Sequence, residues 1–246
     1  MALTDHDTVA GLEEAYAAAT ELQMQLITGI ELSALWRKQG IHIVGLGIDS
    51  QHPAMVALVD SQQSARAERN RQIADRLYSL GVTDALQQAE ALAAGEQPGR
   101  PHFAQLLISQ GLAKDMAQAF KKYLGNGKRA DVRFAWPEME PIIASVRAAG
   151  GTAVLAHPLK YGFTRTRLRA LVGEFAAAGG GAIEVASGYQ PPAEQQDLVR
   201  LAQDFELTAS WGSDFHRPGQ PWQELGVCGP PPTGIRPVWD AERGFG

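Results

Sequence analysis

The chain has 246 residues and only six histidines, so each histidine can be weighed against its neighbours. Four signals fall at the ends of short apolar runs. Leu3-Thr4 leads into Asp5-His6-Asp7, and Leu26 to Ile30 leads into Glu31. Thr152 to Ala156 leads into His157-Pro158, and the run around Trp211 leads into Asp214-Phe215-His216. His42 lies at the start of a further run, Ile41 to Ile48. Acidic and imidazole groups gathered in one place repel unless cations sit among them. Mixed nitrogen and oxygen donors suit zinc, manganese or iron.

Each signal alone has a plainer reading. Glu31 reads as a salt-bridge or helix N-terminal residue, His42 as a solvent-facing strand start, and His157-Pro158 as a turn. Asp214-x-His216 is stronger, because alternate positions can aim two ligands at one ion. The joint pattern favours one metal cluster. His52, beside Pro53 in a turn, stays outside it.

The chemistry such a cluster serves is ester hydrolysis at phosphorus. Cations neutralise the phosphate oxygens and activate a water as nucleophile. No protein nucleophile is needed, and the chain has no Gly-x-Ser-x-Gly elbow. Its single cysteine, Cys228, lies in a Gly/Pro-rich tail. Asp5 and Asp7 read equally as carboxylates that orient histidines or as caps on a helix beginning near Thr8. Arg66, Arg69 and Arg76 share a helix face with Arg71 close by, and guanidinium forks bind phosphate bidentately. A solvated helix face is the competing reading. Lys128 and Arg129, between glycines, form a weaker phosphate-contact candidate.

Short apolar runs must carry these residues. Leu26–Leu32, Ile41–Ile48, Thr152–Ala156, Ala182–Ala186 and Leu207–Trp211 read as strands buried on both faces. Helices are expected over Thr8–Gln25, Pro53–Leu80, Glu138–Ala149, Arg165–Ala178 and Pro192–Phe205, with Thr8 as an N-cap. This alternation predicts βαβ units and a parallel sheet or barrel, whose functional loops gather at the C-terminal strand ends. Residues 84–133 break the rhythm with short helical pieces and no strand. They divide the chain into a first part at 1–83, a helical insertion at 84–133 and a second part at 134–246.

Composition narrows the class. Hydrophobic residues at 45% and charged residues at 20% are ordinary for a soluble globular protein. A net charge of −5 argues against a nucleic-acid-coating protein with a wide basic face. No apolar run reaches a membrane-spanning length, and no secretory signal opens the chain. With one cysteine, a cytoplasmic setting is expected.

In order and spacing, Thr4-Asp5-His6-Asp7, Gly29-Ile30-Glu31, His42 to Gly47, Ala156-His157-Pro158 and Ser213-Asp214-Phe215-His216 resemble the PHP (polymerase and histidinol phosphatase) family. The likeness covers nearly the whole chain. It is greatest to the nucleoside 3',5'-bisphosphate phosphatases and 5'-to-3' exoribonucleases, a subgroup also pointed to by Ala65 to Arg71 and by Arg100-Pro101-His102-Phe103. The resemblance implies an α/β fold, a distorted TIM-like (β/α)7 barrel of the PHP type with a small helical insertion. It implies two or three divalent ions, commonly manganese, with zinc or iron as alternatives. His6, Glu31, His42, His157, Asp214 and His216 would be metal ligands, with Glu31 bridging two ions. Arg69, Asn70, Arg71, Gln72 and His102 would face a substrate that is a nucleotide or an RNA 5' end.

One departure stands out. The family pattern begins with a His-x-His strand and a ligand aspartate ahead of the TDHD segment, and here Met1 stands three residues before Thr4. The expectation is therefore a barrel lacking its first strand and a weakened metal site. A degenerate nucleotide- or phosphate-binding member of the fold, or another phosphatase such as one acting on histidinol phosphate, remains an alternative. A generic amidohydrolase would call for a metal-bridging lysine late in a strand, and Lys160 follows His157-Pro158 in a loop.

Overall fold

The computed structural model describes residues 1–132 and 136–240. It divides into two compact units, one of residues 1–59 and 136–246, the other of residues 60–135. The expected boundary between residues 133 and 134 lies outside the described residues.

The first unit is built on one six-stranded sheet in the order β1 to β6. The strands are β1 (Ala2–Leu3), β2 (Ile27–Trp36), β3 (Gln39–Leu46), β4 (Thr152–Leu155), β5 (Ala182–Ser187) and β6 (Thr208–Gly212). The sheet curls into a half-barrel, consistent with a distorted TIM-like architecture. Helices α1 (Leu12–Glu21), α6 (Met139–Ala148), α7 (Arg165–Ala177) and α8 (Pro192–Asp204) belong to this unit, and α2 (Pro53–Tyr78) begins in it. Among the described residues no helix is long and apolar enough to cross a membrane.

Side-chain alternation sorts the sheet into two faces. Ile30, Leu32, Ala34 and Trp36 of β2, Ile41 and Ile43 of β3, Leu155 of β4 and Ile183 and Val185 of β5 are buried. They share one core with Ile142, Val146, Leu171, Phe175, Leu198 and Val199 from the helices. Burying each such large side chain is worth about 1.5–3 kcal/mol. Glu31, Ser33, His42 and Glu184 alternate with these residues, so they project from the opposite face. Gly29 lets β1 approach β2: a Cβ there would lie 2.7 Å from Thr4 Cγ2 and 2.8 Å from the Leu3 carbonyl oxygen.

Two expectations need correction. The sheet is not uniformly parallel. β3 runs antiparallel to both β2 and β4, while β1–β2, β4–β5 and β5–β6 are parallel. β2 and β3 form a hairpin closed by Arg37 and Lys38, with φ of 48° and 64°. Two successive left-handed residues are the geometry of a type I′ turn. Thr8 does not cap α1. Its hydroxyl accepts from Ala10 N–H at 3.2 Å in a local turn, and the helix starts at Leu12 behind Gly11.

The second unit has its own core, including Ile73, Leu77, Phe103, Leu106, Leu107, Leu124 and Val132. It contains most of α2, then α3 (Ala85–Leu92), α4 (Arg100–Ser109), α5 (Met116–Ala119) and a π-helical turn over Phe120–Leu124. No strand falls among its described residues.

Candidate metal centre

The inverted strand is what brings His42 to the site. Because β3 runs against β2 and β4, its beginning lies at the rim where those two strands end. His42 pairs in register with Ser33, and its carbonyl accepts from Ala156 N–H at 3.1 Å. That puts His42 beside His157, which follows β4. On the other flank, the chain after β1 continues to pair with β2. Glu31 N–H donates to the Asp5 carbonyl at 3.0 Å, and Asp7 N–H donates to the Glu31 carbonyl at 2.8 Å. His6 is thereby held beside Glu31.

Glu31 is buried, 5% exposed, and three imidazoles converge on it. His42 Nδ1 lies 2.6 Å and His157 Nε2 2.9 Å from its Oε1, while His6 Nδ1 lies 3.6 Å from its Oε2. His42 Nδ1 and His157 Nε2 are themselves 3.1 Å apart. The rings continue as a series. Centroid separations are 5.0 Å for His157–His42, 4.9 Å for His42–His6 and 5.6 Å for His6–His216. His216 Nδ1 lies 2.9 Å from the Asp214 carbonyl oxygen and 3.5 Å from Asp214 Oδ1. All six residues with expected ligand roles thus fall in one unit and form one connected group.

The electrostatics match a cation site. Burial pushes the Glu31 carboxyl up, but the charges of His42 and His6 and hydrogen bonds from His157 and His42 hold it well below the ordinary carboxylate value. For His157, burial pulls the pKa down, and the hydrogen bond and charge of Glu31, with Glu184 and Asp214, raise it overall. The donor set therefore fits a divalent ion. Two imidazole nitrogens and a carboxylate oxygen point at nearly one spot, and a proton or cation is required between them. His6, Glu31 and His42 each offer an atom within 4.8 Å of the others. His157 Nδ1 is buried without a hydrogen-bond partner.

Three site residues adopt left-handed backbone: Asp7 (φ 56°), His157 (φ 27°) and Asp214 (φ 51°). His157 does so directly before a proline, which disfavours it further. Strain of this kind, about 1–3 kcal/mol each, persists where the surroundings fix it. Two carboxylates do the fixing. Asp7, fully buried, accepts from Ser33 N–H at 2.7 Å and from the Ser33 hydroxyl at 2.9 Å. It therefore braces the strand beside Glu31 and caps no helix. Glu184 accepts from His157 N–H at 2.6 Å.

Glu184 is the residue that sequence reasoning missed. Burial pushes its carboxyl up to about 7, against the lowering charge and hydrogen bond of His157. Its signal was legible: one acid in the middle of the apolar run AIEVA. Tyr161 was missed too. Its hydroxyl donates to the Ala156 carbonyl at 2.8 Å and accepts from His42 N–H at 2.9 Å, tying both histidine strands together. Lys160 forms an ion pair with Asp214. His52 stays out of the cluster, its Nδ1 accepting from Ala54 N–H at 3.2 Å.

The residues expected to face substrate lie in the second unit. Asn70 is buried and donates to the Pro98 carbonyl at 2.7 Å. Arg71 pairs with Glu68, which also accepts from Gln72 Nε2 at 3.0 Å. His102 Nδ1 accepts from Gly99 N–H at 2.9 Å at the start of α4. Arg69 lies on α2 near Arg66. Close by, burial pulls Arg100 below its usual pKa, opposed by Asp131 and reinforced by Arg66. The Gly125–Arg129 loop is fastened by Asp131, which accepts from Gly127 N–H at 2.7 Å.

Known proteins resemble the chain across nearly its whole length. The chain is 44% identical to a 5'-3' exoribonuclease of Haemophilus influenzae over 98% of its own length and 87% of that protein. It is 40% identical to a 3',5'-nucleoside bisphosphate phosphatase of Chromobacterium violaceum, covering 97% of this chain and 84% of the other. A solved C. violaceum structure, described as an amidohydrolase with bound sulfate and no metal, superposes with a TM-score of 0.90 at 40% identity, over 97% of this chain and 83% of that one. A Bifidobacterium adolescentis protein described as a metal-dependent phosphoesterase matches with a TM-score of 0.77 at 26% identity, over 96% of this chain and 82% of that one. No protein-family model matches the chain. With relatives at this identity and coverage, and with the histidine–carboxylate cluster in place, the chain belongs to the PHP family of metal-dependent phosphoesterases.

Proposed function

We propose that the chain hydrolyses a phosphate ester of a nucleoside 3',5'-bisphosphate or of an RNA 5' end, using divalent ions held by His6, Glu31, His42, His157, Asp214 and His216. The observation that carries the reading is the Glu31 carboxylate, with one oxygen within 2.9 Å of two imidazole nitrogens and the other facing His6. A carboxylate that uses both oxygens in this way suits a bridge between two ions. Ions bound there supply charge neutralisation at phosphorus and a water acidic enough to attack at neutral pH. The chain's own residues set the geometry. Asp7 and Glu184 hold the histidine-bearing backbone, Tyr161 ties β3 to the end of β4, and Lys160 compensates Asp214. Manganese is the ion proposed, with zinc or iron as the other candidates for a nitrogen/oxygen donor set. Arg69, Asn70, Arg71, Gln72 and His102 are proposed to contribute to substrate binding, only His102 among them belonging to the helical insertion expected from residue 84 onward.

The test is phosphate release by chelator-treated protein on adding back manganese, zinc or iron. The substrates are a nucleoside 3',5'-bisphosphate and a 5'-phosphorylated RNA oligomer. Metal-dependent release from one or both is expected, and its loss in Glu31→Gln. No release from either substrate with any of the three metals would overturn the proposal.

A further inference from the structure

Two large aromatic side chains stand in water on the loops that follow β5 and β6, the second of which carries Asp214 and His216. Tyr189 is 68% exposed and Trp222 is 59% exposed. Exposure alone means little, since Tyr16 and Tyr78 are equally open. What distinguishes this pair is how firmly its backbone is tied to a proposed ligand.

Tyr189 follows β5 and Trp222 follows β6, in the loop that begins with Asp214 and His216. Tyr189 N–H donates to the Trp222 carbonyl at 2.7 Å, joining the two loops directly. Next to Trp222, the Gln223 amide donates to Asp214 Oδ2 at 3.0 Å and to the Asp214 carbonyl at 3.2 Å. Next to Tyr189, Gly188 N–H donates to the Gly212 carbonyl at 2.8 Å, and the Ser187 hydroxyl lies 3.4 Å from Asp214 Oδ2. Gly188 permits the close approach: its φ is +70°, and a Cβ there would lie 2.6 Å from the Trp222 carbonyl oxygen. Glu224 fastens the loop further, accepting from Gly219 N–H at 2.7 Å and Gln220 N–H at 3.2 Å. A loop stitched this way fixes the backbone from which the two exposed side chains project.

The chemistry of the centre is one-sided. Carboxylates, imidazoles and Lys160 suit a phosphate and its counter-cations, but they offer no flat apolar surface. Tyr161, whose ring lies 5.5 Å from that of His157, is partly buried with its hydroxyl bonded to backbone. A nucleotide carries a purine or pyrimidine besides its phosphate, and exposed aromatic faces stack bases of any sequence.

We propose that Tyr189 and Trp222 form the base-stacking part of the substrate site, so that the enzyme binds a nucleoside by its ring as well as by its phosphate. This rests on the nucleotide reading above. It also assigns these two residues to specificity, since they would favour any base over none and discriminate little among bases.

The test compares two substrates on the metal-loaded protein: a nucleoside 3',5'-bisphosphate and the same ribose bisphosphate without a base. The wild type should favour the nucleotide. Tyr189→Ala and Trp222→Ala should each lower the ratio of the two kcat/KM values by about tenfold, mainly through KM. Tyr189→Phe, which keeps the ring, should hold the ratio. A parallel fall on both substrates would mark the loop as mere support for Asp214 and overturn the proposal, as would an unchanged ratio. Binding is read separately from turnover by tryptophan fluorescence. The nucleotide should quench wild-type emission more than Trp222→Phe emission, and inorganic phosphate should quench the two equally. Quenching without hydrolysis would defeat the proposed reaction while leaving the base site standing. Absence of a difference in quenching, whatever the turnover, would defeat the base site.

Discussion

Replacing Asp7 with alanine should cost the metal-free protein about 3 kcal/mol. The carboxylate is fully buried and accepts two hydrogen bonds from Ser33, one from the backbone N–H and one from the hydroxyl. Its removal leaves a buried N–H in the middle of β2 without that acceptor, at about 1–3 kcal/mol. The hydroxyl can rotate toward another acceptor, so its share is about 1 kcal/mol or less. Alanine also tolerates the left-handed backbone at this position (φ 56°) poorly, adding about 1 kcal/mol. Asp7→Asn separates these contributions, because asparagine accepts the left-handed conformation and keeps one acceptor oxygen. Its loss should be about half that of alanine. The assay is urea unfolding of chelator-treated protein, read as a lower midpoint at unchanged slope. Ser33→Ala completes a cycle, and the pair should couple by about 1 kcal/mol. A loss below about 1 kcal/mol for Asp7→Ala would show that the carboxylate is not what braces the strand carrying Glu31.

Further outcomes follow from other contacts. Glu31→Gln removes the charge on which three imidazoles converge and should weaken metal binding at least 100-fold by calorimetric titration. An affinity within tenfold of wild type would contradict the bridging role. Lys160→Met frees Asp214 from an ion pair at a partly exposed site, worth about 1 kcal/mol at most. It should tighten metal binding by up to about fivefold, and weaker binding would refute this. Lys38→Gly relieves a left-handed non-glycine in the hairpin turn (φ 64°) and should stabilise by about 1 kcal/mol on thermal unfolding. The Glu184 carboxyl is raised when folded, to about 7. Its contribution to metal-free stability is therefore full below the unfolded value near 4.5 and is lost as pH rises toward 7. Glu184→Gln should gain stability relative to wild type across that window, by at most about 3 kcal/mol. A flat difference between pH 4.5 and 7.5 would exclude the shifted carboxyl.

Much of the centre could be read before any coordinates. Histidine and acid residues at the ends of short apolar runs singled out His6, Glu31, His157, Asp214 and His216 as one group, and the structure brings them together, although Glu31 lies in the middle of β2 and not at its end. The apolar runs identified five of the six strands, and the long helices matched within a few residues. The hairpin was missed for a physical reason. Arg37-Lys38 lacks the Asn-Gly or Asp-Gly signature of a type I′ turn. Arg37 pairs with Glu174 and lies over the Trp36 ring. Without that turn, β2 and β3 looked like buried parallel strands, and His42 entered the ligand set through the family resemblance and not through its place in a strand. Glu184 was overlooked because it was judged by its run's overall hydrophobicity and not by its single polar position. The Asp7–Ser33 bond joins residues far apart in sequence, and no local pattern announces it.

The β2–β3 hairpin also bears on how the enzyme assembles. Glu31 and His42 are eleven positions apart and meet through a tight turn, so their half of the centre needs little loop closure to form. His157 and Asp214 arrive only after long stretches of chain have been ordered, which is the slow part of folding. An ion gripped by both halves would clasp an early-forming hairpin to late-arriving strands. Its main effect on lifetime would then be to slow unfolding, with the folding rate little changed.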